Sequence, residues 1–391
     1  MIPRNLRHLR LLLAVAETGS LTAAAERMRV SQPAVTQAIS KLERAAGGGL
    51  FERSRQGFFA TERGRVLTGR VRRAFDLLDG ALADISPRLR LTATAAQLEA
   101  LVAVRETENF TLAARRLNLA QPTVHRAVSQ LEQEAGHALF ERASFGMAAS
   151  RRARALAQAA VLAFRELDQA EADLAELDGG EAGRIVIGAL PLARSVILPR
   201  ALTEFRRRRP RQQVLVIDGL YDELLGGLRR GDIDVIVGAL RDPAPIGDVA
   251  QERLFDDRLA ILAGPRHPLV GRRDLSTAEL RACRWVAPRR GAPARAQFDA
   301  FFADLGAPES VIEAGSILLM REILDASDHL GCISRAQARV ELKRGLLREI
   351  EIGHRWAARP IGLASRRSWA PTRAQSLLLE LIRNEAAREA M

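Results

Sequence analysis

The chain is poor in aromatic residues and cysteine, and it has no long apolar run. Phe, Trp and Tyr make up 4% of the 391 residues, so a surface that binds single strands mainly by base stacking is not expected. The two cysteines, Cys283 and Cys332, cannot form a disulfide framework or a four-ligand zinc site. No stretch approaches the roughly 18 apolar residues that cross a bilayer, and we recognise no export signal. We therefore expect a cytoplasmic protein without a membrane anchor.

Sequence motifs for catalysis and metal binding are also missing. There is no Gly-rich phosphate loop, nucleophile elbow or HExxH string. His8, His267 and His354 lack the spacing of metal ligands. We expect no enzyme activity, no cofactor and no metal site.

What the chain does have is length, apolar residues and basic charge. A hydrophobic content of 47% is ample for packed cores, and 391 residues predict two or three domains. Lys and Arg number 59 against 47 Asp and Glu, a formal net charge of +12. An excess of this sign favours nucleic acid as a partner, although it is weak evidence by itself.

The first half of the sequence contains an internal repeat. Residues 9–67 align without gaps with residues 98–156 at a constant offset of 89, and 28 of the 59 aligned positions are identical. Both copies contain, for example, the string Leu-Phe-Glu-Arg. The chain is therefore expected to begin with two copies of one module.

Each copy has the pattern of two short helices and a tight turn. In the first copy a helix is expected to start after Ser31, a suitable N-cap, with Pro33 in its first turn, where the missing N–H costs nothing. This pattern predicts a helix-turn-helix. The glycines and aromatics of residues 47–61 suit a small hairpin or wing after it.

A longer amphipathic helix is predicted after each wing. Apolar residues recur along it at spacings of three and four, which is typical of a coiled-coil-like seam. The seam residues are Leu67, Val71, Phe75, Leu78, Leu82 and Ile85 in the first copy, and Leu156, Ala160, Phe164, Leu167, Leu174 and Leu177 in the second. We expect the two seams to pack on each other, within one chain or between chains, and residues 178–183 to form a hinge.

From residue 184 the pattern changes to short β-branched runs that alternate with amphipathic helices. Predicted buried strands are residues 185–188, 214–217, 233–237 and 259–262. This alternation indicates an α/β region, and ligands in such folds bind outside the carboxyl ends of the strands.

Together these strings resemble the LysR-type transcriptional regulators, over nearly the whole chain. The first copy resembles the family's winged helix-turn-helix, and residues from 183 onward resemble its effector domain. The strings that carry the resemblance are Gly19-Ser20-Leu21-Thr22, Ser31-Gln32-Pro33-Ala34-Val35-Thr36, Leu50-Phe51-Glu52-Arg53, Gly231-Asp232-Ile233-Asp234 and Gly331-Cys332-Ile333. The family pattern has one such module, so the duplication is a departure from it.

The resemblance implies a multidomain fold class: two all-α-rich winged helix-turn-helix modules with long linker helices, then an α/β, two-lobed effector domain similar to periplasmic binding proteins. We place the first module at residues 1–88, the second at 89–178 and the effector domain at 183–391. Lobe I is expected at 183–252 and 354–391, and lobe II at 253–353.

Residues at the start of the second helix of a helix-turn-helix reach base edges, while hydroxyls and basic groups hold phosphates. A glutamine there can pair with adenine, and small apolar groups can contact a thymine methyl. The candidates in the first module are Ser31, Gln32, Pro33, Ala34, Thr36, Gln37 and Lys41, with Arg53 and Arg55 by the wing. The candidates in the second module are Gln121, Pro122, Thr123, His125 and Arg126, with Arg142.

The charges of the two copies differ. Residues 1–90 carry 16 basic and 8 acidic side chains, a net +8, and residues 91–178 carry 9 and 12, a net −3. Because phosphate neutralisation supplies most non-specific DNA affinity, we expect the first module to be the principal reader. The alternative is that both modules bind DNA and the acidic residues of the second lie on its far face.

The resemblance also implies a small-molecule cleft between the two lobes. Helix N-termini near Ser195 or Ser316 and the charge of Arg194 would favour an anionic effector. The candidate cleft residues, chosen by position, are Arg194, Ser195, Tyr221, Trp285, Val286, Ser316 and Ile317.

The expected function is a sequence-specific regulator that binds double-stranded promoter DNA and responds to a small effector. RNA polymerase is a further partner if the protein activates transcription. A homo-oligomer, dimer or tetramer, is expected, with the two modules of one chain as a candidate internal pair. The alternative is an architectural or autoregulatory DNA-binding protein without an effector.

Overall fold

The computed structural model describes residues 1–54, 57–144, 146–244, 247–354 and 356–390. The chain forms two compact units, Met1–Gly183 and Arg184–Met391. No helix among the described residues is long and apolar enough to cross a membrane.

The first unit contains one order of elements twice: three helices, a two-stranded hairpin and a long helix. In the first module these are α1 (Leu6–Thr18), α2 (Leu21–Met28), α3 (Gln32–Ala46), β1 (Phe51–Ser54), β2 (Gly57–Ala60) and α4 (Glu62–Ile85), followed by a short α5 (Leu89–Thr92). In the second they are α6 (Ala95–Thr107), α7 (Phe110–Leu117), α8 (Gln121–Ala135), β3 (Phe140–Ala143), β4 (Gly146–Ala149) and α9 (Arg151–Leu177). Both hairpins are antiparallel, as predicted for the wing.

The same local interactions hold both modules. Glu43 accepts a hydrogen bond from the backbone N–H of Leu50 at 3.0 Å, and Glu132, 89 residues later, accepts one from Leu139 at 2.8 Å. Each bond ties the end of the module's third helix to the start of its wing. The repeat therefore preserves tertiary contacts as well as helix spacing.

The two long helices, α4 and α9, pack against each other along the predicted seams. All six seam residues of α4 are buried, and five of the six on α9 are buried, with Leu177 partly buried. One continuous hydrophobic core includes α1 to α4 and α6 to α9. The two modules therefore form a single folded body within one chain.

The second unit is built on two five-stranded mixed sheets. Its first part contains β5 (Arg184–Ala189), α10 (Pro191–Ser195), α11 (Leu198–Arg208), β6 (Gln213–Asp218), α12 (Tyr221–Arg230), β7 (Val235–Ala239) and β8 (Val249–Asp257). Its second part contains β9 (Leu259–Ala263), α13 (Thr277–Ala282), β10 (Arg284–Ala287), α14 (Pro293–Phe301), β11 (Val311–Glu313), α15 (Ile317–Ala326), β12 (His329–Ser334), α16 (Arg339–Lys343) and β13 (Arg348–Glu349). The chain ends with β14 (Arg359–Arg366) and α17 (Arg373–Ala390).

Each sheet forms one lobe. Lobe I has the strand order β6-β5-β7-β14-β8, and lobe II has β11-β10-β12-β9-β13. In lobe I the strands β5, β6 and β7 are parallel, so their carboxyl ends lie at one edge. Helices α10 and α12 start at that edge, directly after β5 and β6.

The chain crosses between the lobes later than the sequence suggested. The expected boundary at Glu252 is wrong, because β8 stays paired with β14 as far as Asp257 opposite Arg359. The Asp257 carboxylate, 1% exposed, pairs with the Arg359 guanidinium and accepts a hydrogen bond of 2.8 Å from the Ser334 hydroxyl of lobe II. This buried carboxylate thus ties the two crossing strands to lobe II.

A glycine near the start of α4 allows close packing in the first module. A Cβ atom on Gly64 would lie 1.9 Å from the carbonyl oxygen of Leu50, whereas a Cβ on Gly80 of the same helix would meet nothing within 4 Å. The equivalent position of the second module is Ala153, so this close approach belongs to the first module alone.

We predict opposite effects for alanine at these two glycines. Gly64→Ala forces the helix away from the wing and lowers the midpoint of thermal unfolding. Gly80→Ala, the matched control, stabilises α4 by about 0.5–1 kcal/mol because it removes backbone entropy from the unfolded chain. Calorimetry of the full-length variants measures both, and equal midpoints would contradict the close packing.

Candidate nucleic-acid interface and effector site

Helix α3 presents most of the predicted reading residues to solvent. Its buried face, Val35, Ala38, Ile39 and Leu42, belongs to the core. The opposite face is exposed and consists of Gln32, Pro33, Ala34, Thr36, Gln37 and Lys41, with Ser31 directly before the helix. An exposed helix face on a rigid core is the geometry that the major groove accepts.

Helix α8 has the same arrangement in the second module. Val124, Val128 and Leu131 are buried, and the predicted reading residues are exposed: Gln121, Pro122, Thr123, His125 and Arg126. The His125 ring lies 5.2 Å from the Phe110 ring of α7, between centroids. The imidazole is therefore positioned by packing on the first helix of the motif.

The expected capping role of Ser31 is wrong. The residue has extended backbone angles before α3, but its side chain makes no capping hydrogen bond. Ala120 has nearly the same backbone angles before α8, −72° and 141° against −74° and 145°. The replacement of serine by alanine therefore removes no cap, and the exposed Ser31 hydroxyl remains available for other contacts.

The predicted wing residues are only partly described. Arg53 on β1 and Arg142 on β3 are equivalent in the repeat, and both are exposed. Arg55 lies outside the described residues.

Sequence reasoning did not connect the histidine of α1 with the predicted Lys41 of α3. Burial lowers the pKa of His8 on α1, and the positive charges of Lys41 and Arg7 lower it further. The equivalent residues of the second module are Gln97 and Gln130, whose amides share a hydrogen bond of 3.3 Å. The histidine was missed because its neighbour Lys41 lies on another helix, 33 residues away.

A cluster of charges around a buried arginine lies between the modules. Arg70 of α4, 3% exposed, contacts Glu166 at 3.0 Å and Asp173 at 2.8 Å, both on α9. It also donates to the Gln169 amide oxygen at 2.7 Å, and Arg73 reaches Glu166 at 3.2 Å. The buried Arg70 guanidinium is thus surrounded by polar partners from the other module.

Two further arginines of the first module pair with acidic residues of the second. Arg4 contacts Glu99 at 3.1 Å and Asp168 at 2.7 Å, and Arg63 contacts Asp178 at 2.5 Å. Much of the second module's negative charge is thus neutralised at the interface between the modules. Net charge per module therefore does not measure the potential on the reading faces.

We predict that Arg70 is required for stable pairing of the modules. Arg70→Met leaves the buried Glu166 carboxylate with the partly exposed Arg73 as its remaining cation, and removing one partner of a buried ion pair typically costs about 3–5 kcal/mol. The matched control is Arg72→Met on the same helix, whose side chain is 53% exposed and whose loss costs less than about 1 kcal/mol.

Chemical denaturation of the full-length protein, followed by far-UV circular dichroism, measures both variants. Adding Glu166→Leu to Arg70→Met removes the stranded carboxylate and should recover part of the loss. Equal stability of the two arginine variants would contradict the role given to this cluster.

In the second unit, the structure places the predicted Arg194 in an ion pair. Its guanidinium contacts Asp218 at 2.9 Å, at the carboxyl ends of β5 and β6. The Ser195 hydroxyl donates to the Pro191 carbonyl oxygen of its own helix at 3.2 Å. Both side chains are exposed but already have partners, so neither offers an uncommitted polar group.

Tyr221 combines with an arginine that sequence reasoning missed. The Arg241 guanidinium, just after β7, lies 4.1 Å from the centre of the Tyr221 ring. It forms no ion pair with any described residue, and burial lowers its pKa. The Tyr221 residue is 8% exposed, its pKa is raised by burial, and its hydroxyl has no hydrogen-bond partner in the described chain.

Lobe II corrects two predicted cleft residues. Trp285 and Val286 have no exposed surface. The Trp285 ring nitrogen donates to the Leu280 carbonyl at 2.8 Å, and its ring packs edge-on against Phe298 and Phe302. These two residues are core residues of lobe II, because a β10 that is buried on both faces cannot present side chains to a ligand.

Ser316 lies at the start of α15, as predicted. Its hydroxyl accepts a hydrogen bond of 3.3 Å from the Leu319 N–H, and Ile317 next to it is buried. A Cβ atom on Gly315 would lie 3.9 Å from Pro191 of lobe I. The starts of α10 and α15 therefore meet across the lobes, where Ser316 flanks the contact.

The cysteines lie apart from these groups. Cys332 on β12 is fully buried, which raises the pKa of its thiol to about 12. Cys283 follows α13 and donates to the Glu279 carbonyl oxygen. No group of metal-binding side chains is present among the residues that the structure describes.

Comparison with known proteins identifies both units. Residues 6–65 and 95–154 match the family described as "Bacterial regulatory helix-turn-helix protein, lysR family", and residues 178–387 match "LysR substrate binding domain". The HTH-type transcriptional regulator GalR of Pseudomonas putida is 34% identical over 396 residues, which covers 99% of this chain and 98% of that protein. The chain belongs to the LysR family. It is a DNA-binding transcriptional regulator with a substrate-binding domain, and not an enzyme.

Solved LysR-type structures show the same fold at low identity. A full-length variant of OxyR from Pseudomonas aeruginosa superimposes with a TM-score of 0.55 at 21% identity, over 74% of this chain and 94% of that one. CbnR, solved in complex with its target DNA, superimposes with a TM-score of 0.51 at 19% sequence identity, over 74% of this chain and 99% of CbnR. The HTH-type transcriptional regulator PcaQ of Agrobacterium fabrum is 28% identical to this chain. The alignment covers 75% of this chain and 94% of PcaQ.

Proposed function

We propose that this LysR-type regulator reads its operator with both modules of one chain. The observation that carries the proposal is the common core of α1 to α4 and α6 to α9, from which α3 and α8 each expose a matching face. Tandem duplication of the DNA-binding module explains this arrangement. We place the modules at residues 1–88 and 89–178, and the effector domain at 183–391.

The location of the acidic residues supports two reading modules over one. Glu99, Glu166, Asp168, Asp173 and Asp178 of the second module all contact arginines of the first. These five carboxylates are therefore paired between the modules, which supports the alternative in which both modules bind DNA. The expectation that the first module dominates rested in large part on net charge, and this pairing weakens that argument.

Paired alanine variants test the contribution of each reading helix. Gln32→Ala with Thr36→Ala removes two exposed groups from α3, and Gln121→Ala with His125→Ala removes the equivalent pair from α8. We expect each double variant to weaken operator binding by about 10-fold or more, since each lost base contact is worth about 1–3 kcal/mol.

Fluorescence anisotropy with the upstream region of the protein's own gene measures the affinity. The control is Arg207→Ala on α11, whose side chain is 76% exposed in the second unit. A loss of operator affinity in the α3 variant alone would support the first module as the principal reader. Unchanged binding in both variants would exclude these helices as the reading elements.

We propose further that the effector is a small anion held at the carboxyl edge of lobe I. Among the described residues, Arg241 supplies a charge without an ion-pair partner in a partly buried position, and the buried Tyr221 hydroxyl beside it has no hydrogen-bond partner. A carboxylate or phosphate would pair with the guanidinium. Ser316 at the start of α15 lies on the lobe II side of the cleft and adds a helix N-terminus.

Charge removal distinguishes Arg241 from the other candidate arginine. In Arg241→Met we expect the thermal shift produced by binding anions to disappear, while Arg194→Met, which disrupts a pair with Asp218, retains it. The probes are inorganic phosphate and a panel of small mono- and dicarboxylates, and the readout is the unfolding temperature. The reverse result would place the anion at Arg194, and no shift with any probe in the native protein would favour the architectural alternative.

A further inference from the structure

The interface between the modules is not symmetric, although the modules are repeats. Arg70 of α4 is buried against Glu166 and Asp173 of α9. The position equivalent to Arg70, at the offset of 89, is Ala159, and the position equivalent to Glu166 is Leu77. The second module therefore has no arginine to return the contact, and the first has no glutamate to receive it.

A second set of charges shows the same asymmetry. In the first module Arg10 pairs internally with Asp79 at 2.5 Å. The equivalent residues of the second module are Glu99 and Asp168, two like charges that cannot pair with each other. Both instead contact Arg4 of the first module. These two carboxylates of the second module are thus neutralised by an arginine of the first module.

These differences favour the pairing of a first module with a second module (unlike pairing) over the pairing of two identical modules (like pairing). Two first modules would set Arg70 against Leu77 in place of Glu166, with Asp84 at the position of Asp173 as the one acidic partner that remains. Two second modules would set Ala159 and Leu162 at the positions of Arg70 and Arg73, so the buried Glu166 carboxylate would face apolar groups. In the mixed pair, each of these charged groups has a partner of opposite charge. Every molecule therefore exposes one α3 and one α8.

The two reading faces of that fixed pair are chemically different. Arginine pairs with guanine through two hydrogen bonds, whereas glutamine pairs in the same way with adenine. Three of the exposed positions in the first two turns of each helix differ: Ala34 and Thr123, Thr36 and His125, and Gln37 and Arg126, in the first and second module respectively. The neighbouring phosphate-facing groups differ as well, because Lys41 is replaced by Gln130.

We propose that the operator of this regulator consists of two unlike half-sites, read by the two modules of one chain in a single orientation. The half-site under α8 contains a guanine contacted by Arg126, and the half-site under α3 contains an adenine at the equivalent position, contacted by Gln37. This proposal rests on the proposed function, in which both modules bind DNA. It differs from a symmetric dimer, whose operator mirrors its two-fold axis.

Selection from a random duplex library by the full-length protein tests the proposal. We expect an enriched sequence with two different halves. In the variant Thr123→Ala, His125→Thr, Arg126→Gln, which gives α8 these three residues of α3, we expect the second half to change towards the sequence of the first. The single variant Arg126→Gln, which leaves the His125 contact with Phe110 intact, should lose the guanine preference alone by about 10-fold or more.

The outcomes separate this proposal from the proposed function. A palindromic sequence selected by the unmodified protein would overturn the unlike half-sites while leaving both modules as readers. A sequence with a single half, or none, would overturn the proposed function itself. If Arg126→Gln leaves every position of the selected sequence unchanged, the assignment of Arg126 is wrong, and circular dichroism of that variant confirms that the module is folded.

Discussion

The burial of Arg70 between Glu166 and Asp173 is the interaction on which the first unit depends. Buried ion clusters add little net stability compared with apolar side chains of the same volume, because desolvation offsets most of the attraction. They can select between partners, because a pairing that leaves a buried charge without its counter-ion is penalised. Most of the stabilisation between α4 and α9 comes from the seam of buried leucines, alanines and phenylalanines. Because a similar seam occurs on both helices, it would also allow two first modules, or two second modules, to pair. The cluster around Arg70 favours the unlike pair, because two second modules would leave Glu166 without an arginine.

This distribution of charge shows why the net charge of each module is a weak guide to DNA binding. The net +8 and −3 of the two modules suggest one good DNA-binding module and one poor one. Most of the difference arises from groups such as Arg4, Asp168 and Asp178, which neutralise one another away from the reading helices. A count over sequence cannot tell a solvated acid from one that is paired across an interface, because the pairing brings together residues more than a hundred positions apart.

Features with local periodicity were predictable, and features that depend on distant neighbours were not. The helices, the wings and the apolar seams follow from spacing and turn residues, and the structure has them where they were expected. The cleft residues required knowledge of packing. Arg194 and Arg241 both follow a strand of lobe I and look equivalent in sequence, but Asp218 neutralises the former while the latter lies over Tyr221. Trp285 was chosen by position, and only the burial of β10 on both faces shows that it belongs to the core.

The buried seam between α4 and α9 also limits how the regulator can respond to a ligand. Separating the two helices would return the charged groups to water at little net cost, but it would also expose the seam. Each fully buried leucine or phenylalanine side chain in it is worth about 1.5–3 kcal/mol. A ligand shifts an equilibrium only by its difference in affinity between two states, and a coupling between sites is typically about 1–3 kcal/mol. An effector response of ordinary size therefore leaves this helix pair intact. Arg63 also contacts Asp178 at the end of α9, so we expect the helix pair to move as one body up to that residue.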